Sequence, residues 1–280
     1  MTDPSRTLQA AELTPEEIER ILRVCGPHAL LVGGQALATW AVYYGIRPVG
    51  ELSRAVTMDV DFIGRSSTAE ALQRSLGRPW KLRKGTLDDA GGQVAKVYAT
   101  VPGEGIKQVD FLSGIVGIDT EGLRKRATEI TLADGVAVHL LHPLDVLENR
   151  LRNLDAVASK RNAIGVAQAR LAVSVVRAFI EGHMDAGGDP RTLRQAVKRV
   201  EKLALDTRLS RVAFTYDIDV LSAIPVERVA YPRFHEQQWP KLLARLERKR
   251  EKFVALRRRR RGKLTAVRRP AVGSTTRPAK

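Results

Sequence analysis

The sequence predicts an α+β protein: a mixed sheet flanked by helices, then a helical C-terminal region, then a basic tail. Three observations carry that prediction. Short apolar or alternating runs interleave with helical patterns up to about residue 142, strand signals nearly vanish after it, and the composition changes again at residue 257.

The elements follow in order. Thr14-Pro15-Glu16-Glu17 starts a helix, with a hydroxyl cap, proline at the first helical position and Glu at the third. This helix ends near Gly26-Pro27. Residues 29–32 form a short apolar run, read as a buried strand, and 35–44 have helical composition after Gly33-Gly34. Residues 57–63 alternate as a strand does, 68–76 read as a helix, and 94–101, 108–112 and 136–140 are further strands. Beyond Pro143, residues 144–154, 164–180, 191–203 and 241–257 read as amphipathic helices. The expected organisation is a catalytic-type α/β domain over 1–142, a helical domain over 143–256 and a tail over 257–280. That tail contains Arg257–Arg261 and ends in Ala, Ser, Thr and Pro, too little apolar surface to offset its ordering entropy, so disorder is expected there.

Composition excludes several classes. Hydrophobic residues make up 44% of 280, an ordinary globular value with enough chain for a sizeable core. The single cysteine, Cys25, cannot form an intramolecular disulfide, and no Cys/His cluster has zinc-ligand spacing. The start lacks a basic region followed by an apolar run, and no uninterrupted apolar stretch approaches the ~20 residues of a membrane span. A cytoplasmic protein without a membrane partner is expected. The net charge is +16, but residues 241–280 alone carry +14, which leaves the body nearly neutral at +2. The basic character therefore belongs to the C-terminal end.

Three short segments carry candidate chemistry. Leu30-Leu31-Val32-Gly33-Gly34-Gln35 is an apolar strand running through two glycines into a helix. Backbone amides at such a turn, with the positive end of the helix behind them, can cradle phosphate. Alone, a glycine pair is more often only a tight turn. In Thr57-Met58-Asp59-Val60-Asp61-Phe62-Ile63, residues two apart point the same way, so Asp59 and Asp61 share a side while Val60 and Phe62 enter the core. Paired carboxylates repel, and a divalent cation such as Mg²⁺ (or Mn²⁺) resolves the conflict; a solvent-facing strand edge is the plain alternative. Lys107-Gln108-Val109-Asp110-Phe111-Leu112 adds one acid among apolar neighbours, able to complete a metal site or act as general base if it lies beside Asp59.

Together these segments resemble the nucleotidyltransferase superfamily built around DNA polymerase beta: an apolar residue, two small residues, a helix, Asp-x-Asp, and a third Asp on a later strand. The likeness is nearer to the AbiEii-like nucleotidyltransferases of toxin–antitoxin systems. It rests on Gly33-Gly34-Gln35-Ala36-Leu37, Asp59-Val60-Asp61-Phe62 and the later Pro143-Leu144-Asp145-Val146-Leu147-Glu148-Asn149-Arg150, and it covers roughly residues 28–180. The resemblance implies a nucleoside triphosphate substrate, metal held by Asp59, Asp61 and Asp110, and nucleotide contacts from Gly33, Gly34, Gln35, Arg150 and Lys160. It also implies an RNA acceptor, a tRNA 3′ end in the toxin relatives, and an antitoxin protein as partner. Three departures stand out. Arg150 replaces the family's Lys, Gly34 replaces a common Ser, and the longer Gly34–Asp59 spacing requires an insertion near residues 48–53.

Lys96, Lys107, Arg150, Lys160 and Arg161 are the basic side chains available to a triphosphate, although any one of them taken singly reads more readily as a solvated surface residue. His139 and His142 have no visible ligand partner and are expected to be structural. Two non-enzymatic readings stay open: a degenerate relative that only binds nucleic acid through its basic end, and a partner-binding subunit of a toxin–antitoxin pair.

Overall fold

The structure, a computed structural model, describes residues 11–47, 59–86, 92–132 and 135–267. It is an α+β fold in two compact units, residues 1–228 and 229–280. The insertion expected near 48–53, the start of the Asp-x-Asp strand and the last thirteen residues lie outside the described residues.

The first unit is built on a seven-stranded mixed sheet with order β3-β4-β5-β2-β1-β7-β6. Its central strands are β1 (Leu30–Val32), β2 (Val60–Ile63), β5 (Gly105–Leu112) and β7 (Ala137–Leu140). β1 runs antiparallel to β2 and parallel to β7, and β2 runs parallel to β5. β4 (Gln93–Val101) joins β5 antiparallel, and β3 (Lys81–Lys84) and β6 (Thr128–Thr131) form the edges. Val60, Phe62, Val109 and Phe111 are buried on one face, the two phenylalanine rings stacked at 5.7 Å, so alternation sends Asp61 and Asp110 to the other face.

Helices flank this sheet. α1 (Pro15–Cys25) begins with the expected reciprocal cap, in which Thr14 accepts from the Glu17 amide and Glu17 accepts from the Thr14 amide. It packs on α3 (Ser66–Leu76), while α2 (Gly33–Tyr43) packs on α5 (Pro143–Ala156) and α6 (Ala163–Asp185). The buried indole of Trp40 donates to the Leu141 carbonyl at 2.8 Å, which fixes α2 to the junction of β7 and α5. α4 (Thr120–Arg126), α7 (Pro190–Leu205) and α8 (Thr207–Tyr216) complete the unit. Residue 142 therefore marks a change of secondary structure inside one packed unit, because α5 and α6 supply part of the cover that α2 and the sheet need.

α6 is long and apolar enough to cross a membrane, yet 56% of that stretch is buried inside the protein. Leu171, Val175, Val176 and Ile180 are core residues, and Arg170 and Arg177 interrupt the apolar run.

The second unit consists of a short π-helical turn at Phe234–Gln238 running into α9 (Trp239–Val267). Helix continues ten residues past the point where disorder is expected. Arginine is a good helix former, and nothing in residues 257–261 breaks a helix.

Candidate active site

Strand register brings the site together. Val32, the last residue of β1, pairs with Asp61, and Asp61 pairs across the parallel ladder with Asp110. Three segments distant in sequence thus meet at one level of the sheet, where β1 gives way to α2. A cleft of about 330 Å³ opens there, lined by Val32, Gly33, Gly34, Asp59, Asp61 and Asp110 from the sheet side and by Asn149, Arg150, Asn153 and Lys160 from the helical side.

Gly33 has φ +69°, a conformation that L side chains rarely adopt, and a Cβ there would lie 2.1 Å from Asp61 Oδ2. Glycine is therefore required twice over: by its backbone, and because the carboxylate occupies the space of a side chain. α2 starts at this turn without a side-chain cap, so its first amides are not claimed by one. The positive end of the helix thus opens beside the acids.

Burial first, and mutual repulsion second, raise the carboxyls of Asp61 and Asp110. The Asp61 carboxyl is pushed up to about 6, by burial first and then by the charge of Asp110; Arg150 and Lys160 pull it down, and Asp59 pushes it up further. Asp110 is raised by burial, while Lys96 opposes that and Asp59 adds to it. Asp110 is also held in place: Gln93 Nε2 donates to Oδ1 at 2.6 Å, Gln108 Nε2 to Oδ2 at 3.3 Å, and Lys96 Nζ stands 3.6 Å from Oδ1. Lys96 faces Asp110 directly in the β4–β5 register.

Arg150 is 5% exposed, and burial lowers its guanidinium to about 10. Nη1 donates to Gln168 at 2.9 Å and Nη2 to Asn149 at 2.6 Å, whereas Nε has no hydrogen-bond partner among the described residues. Lys160 reaches the cleft from a tight connection between α5 and α6. Arg161 closes the end of α5 by donating to the carbonyls of Leu154 and Asp155, and Asn162 caps α6 by accepting from Gly165 at 2.8 Å. A Cβ at Gly165 would meet the Lys160 carbonyl at 1.9 Å, so only glycine lets the connection close this tightly.

Among the expected residues, Asp59, Asp61, Asp110, Gly33, Gly34, Arg150 and Lys160 all line the cleft; Gln35 does not. Lys107 points away from the site and pairs with Glu17 at 2.8 Å, because an odd-numbered position on β5 faces opposite Asp110. Arg161 is a helix-closing residue. His142 caps α5 by accepting from the Leu144 amide at 3.2 Å, its ring lies edge-on to Phe179, and burial lowers it to about 4. His139 lies 3.8 Å from Glu129. Sequence reasoning missed Gln93 and Gln108, which hold Asp110, and Asn149 and Asn153, which line the cleft one helical turn apart. The only signal for the last two was their spacing: four apart, Asn149 and Asn153 share one face of α5, opposite the stripe of Leu144, Leu147, Leu151 and Leu154.

Among the described residues no three acids, histidines or cysteines form a metal-binding group on their own. Asp61 and Asp110, paired in register, would offer only part of a cation's shell, the rest coming from water and phosphate oxygens, as is usual for Mg²⁺.

No family model matches the chain, and no curated protein matches it. Two solved structures from Helicobacter pylori align with the chain. JHP933 is 11% identical with a TM-score of 0.39, covering 91% of this chain and 96% of its own. A protein provisionally described as a nucleotidyltransferase is 12% identical with a TM-score of 0.37, covering 86% of this chain and 95% of its own.

Proposed function

We propose that the chain is a cytoplasmic, Mg²⁺-dependent nucleotidyltransferase that moves a nucleoside monophosphate from a nucleoside triphosphate to an acceptor hydroxyl. The acceptor class best matched by the sequence resemblance is RNA, at a 3′ end. One observation carries this reading: Asp61 stands in register between the Gly33 turn and Asp110, with its carboxylate filling the space a side chain at residue 33 would take.

Each residue then has a task. Asp59 and Asp61, with Asp110, would hold Mg²⁺, which when bound neutralises phosphoryl oxygens and acidifies a nearby hydroxyl. The amides of Gly33 and Gly34 at the start of α2 receive phosphate oxygens. Arg150, fixed by Asn149 and Gln168, and Lys160, fixed by the tight connection beneath it, stabilise negative charge that grows on the departing pyrophosphate. Asp110, held by Gln93 and Gln108, would take the proton of the attacking hydroxyl.

The test is label transfer from each nucleoside triphosphate to total tRNA or to protein, in the presence of Mg²⁺. Wild type should transfer label from at least one triphosphate, and the Asp59→Ala, Asp61→Ala double variant should lose on the order of 10³-fold or more. Equal transfer by the two proteins would end the proposal.

A further inference from the structure

The proposed chemistry leaves α9 without a task, and α9 is the most highly charged element of the chain. Over 29 residues it carries twelve Lys and Arg against Glu247 and Glu251. Residues 254–259 are all exposed. At 3.6 residues per turn, Arg245, Lys249, Arg250, Arg257, Arg258 and Arg259 place positive charge around the whole circumference of α9. Like charges three and four apart disfavour an isolated helix, so this arrangement gains most from a polyanion beside it.

The distribution selects among polyanions. A helix lying on an anionic membrane needs an apolar stripe opposite its basic face. Leu242, Leu246 and Phe253 begin such a stripe, but residues 257–261 have no apolar face at all. Single-stranded nucleic acid is held largely by stacking on aromatic rings. Between Lys241 and Val267 the only aromatic is Phe253, and the Arg257 guanidinium already lies over its ring at 5.5 Å. A helix charged on every side suits a groove with phosphates along both walls. We propose that α9 is an arm that binds double-helical nucleic acid through its phosphates. Its link to the acceptor, as the holder of a paired stem whose free end is modified, rests on the nucleotidyltransferase reading. The duplex binding itself does not.

The experiment uses the full-length protein and fluorescence anisotropy over a range of salt, with three probes: a short RNA duplex, a single strand of the same length without secondary structure, and vesicles rich in anionic lipid. The duplex should bind at least tenfold tighter than the single strand. Arg257→Gln, Arg258→Gln, Arg259→Gln together should weaken duplex binding on the order of 100-fold at 0.1 M salt and flatten its logarithmic salt slope by about three. The corresponding triple Lys variant, which keeps the charge, should restore most of the affinity, so that loss of helix in the Gln variant cannot be mistaken for loss of phosphate contacts. The Asp59→Ala, Asp61→Ala variant should bind duplex like wild type, which separates this arm from the cleft. Equal or tighter binding of the single strand, binding to vesicles alone, or an unchanged salt slope in the Gln variant would overturn the proposal.

Discussion

Two aspartates of this protein are enclosed in opposite ways. Asp145, at the start of α5, is fully buried and satisfied: Arg126 donates to both of its oxygens at 3.0 and 3.1 Å, and Arg199 donates to Oδ1. Burial alone would raise its carboxyl, but the two guanidinium groups outweigh it and hold the group below its ordinary value. Asp61, on the cleft floor, is raised to about 6, because burial and the neighbouring Asp110 outweigh Arg150 and Lys160. The same fold completes one charge internally and leaves the other in deficit. A carboxylate of the first kind ties α4, α5 and α7 together. One of the second kind, lining a cleft, lacks full compensation within the protein, and under the proposed function a bound cation would supply it.

That contrast can be broken most severely at Asp145. Asp145→Ala leaves Arg126 and Arg199 facing a vacated interior position, and the protein should lose about 3 kcal/mol or more by urea denaturation. Asp61→Asn should act in the opposite direction. The folded Asp61 carboxyl binds its proton more tightly than the unfolded one, so its folded state is favoured most below about pH 4, and stability declines as pH rises toward about 6. Removing that charge should stabilise the metal-free protein at pH 7 by roughly 2 kcal/mol, with little change at pH 4, while nucleotidyl transfer is lost. Denaturation curves at the two pH values check both parts.

Gly33→Ala sharpens the comparison from the other side. The backbone strain at φ +69° should cost about 1–2 kcal/mol, and the new methyl must displace the Asp61 carboxylate, so transfer should fall further than stability does. The smallest expected effect is at Gln93. Gln93→Ala removes a hydrogen bond to Asp110 and leaves Asp59 and Asp61 untouched; the rate should drop about tenfold, with a shifted pH profile and a nearly unchanged KM for the triphosphate.

The sequence made the site's components legible through alternation. Val60 and Phe62 had to be buried, so Asp59 and Asp61 had to share the other side, and the cleft lining agrees. What alternation cannot supply is register. Nothing local in residues 107–112 says that Asp110, rather than Gln108, stands opposite Asp61. The two overlooked strands are the sheet's edges, Lys81–Lys84 and Thr128–Thr131, each with a single apolar residue, Leu82 or Ile130, and so no apolar period to detect. α8 was missed for a similar reason: its ten residues follow α7 almost directly, with Asp206 between them as the cap that starts it. The division at 142 marks a change in the kind of element, which composition reports, whereas packing groups residues 1–228 as one compact unit, because a unit is defined by which elements bury one another.

In the proposed function, Asp61 is kept in electrostatic deficit until a metal-bound triphosphate compensates it. Thermal melting at pH 7 with Mg²⁺, with a non-hydrolysable nucleoside triphosphate, and with both together tests it directly. Wild type should melt several degrees higher only when both are present, and Asp61→Asn, already more stable by itself, should gain nothing from them. An equal shift in the two proteins, or none in wild type with any of the four nucleotides, would contradict it.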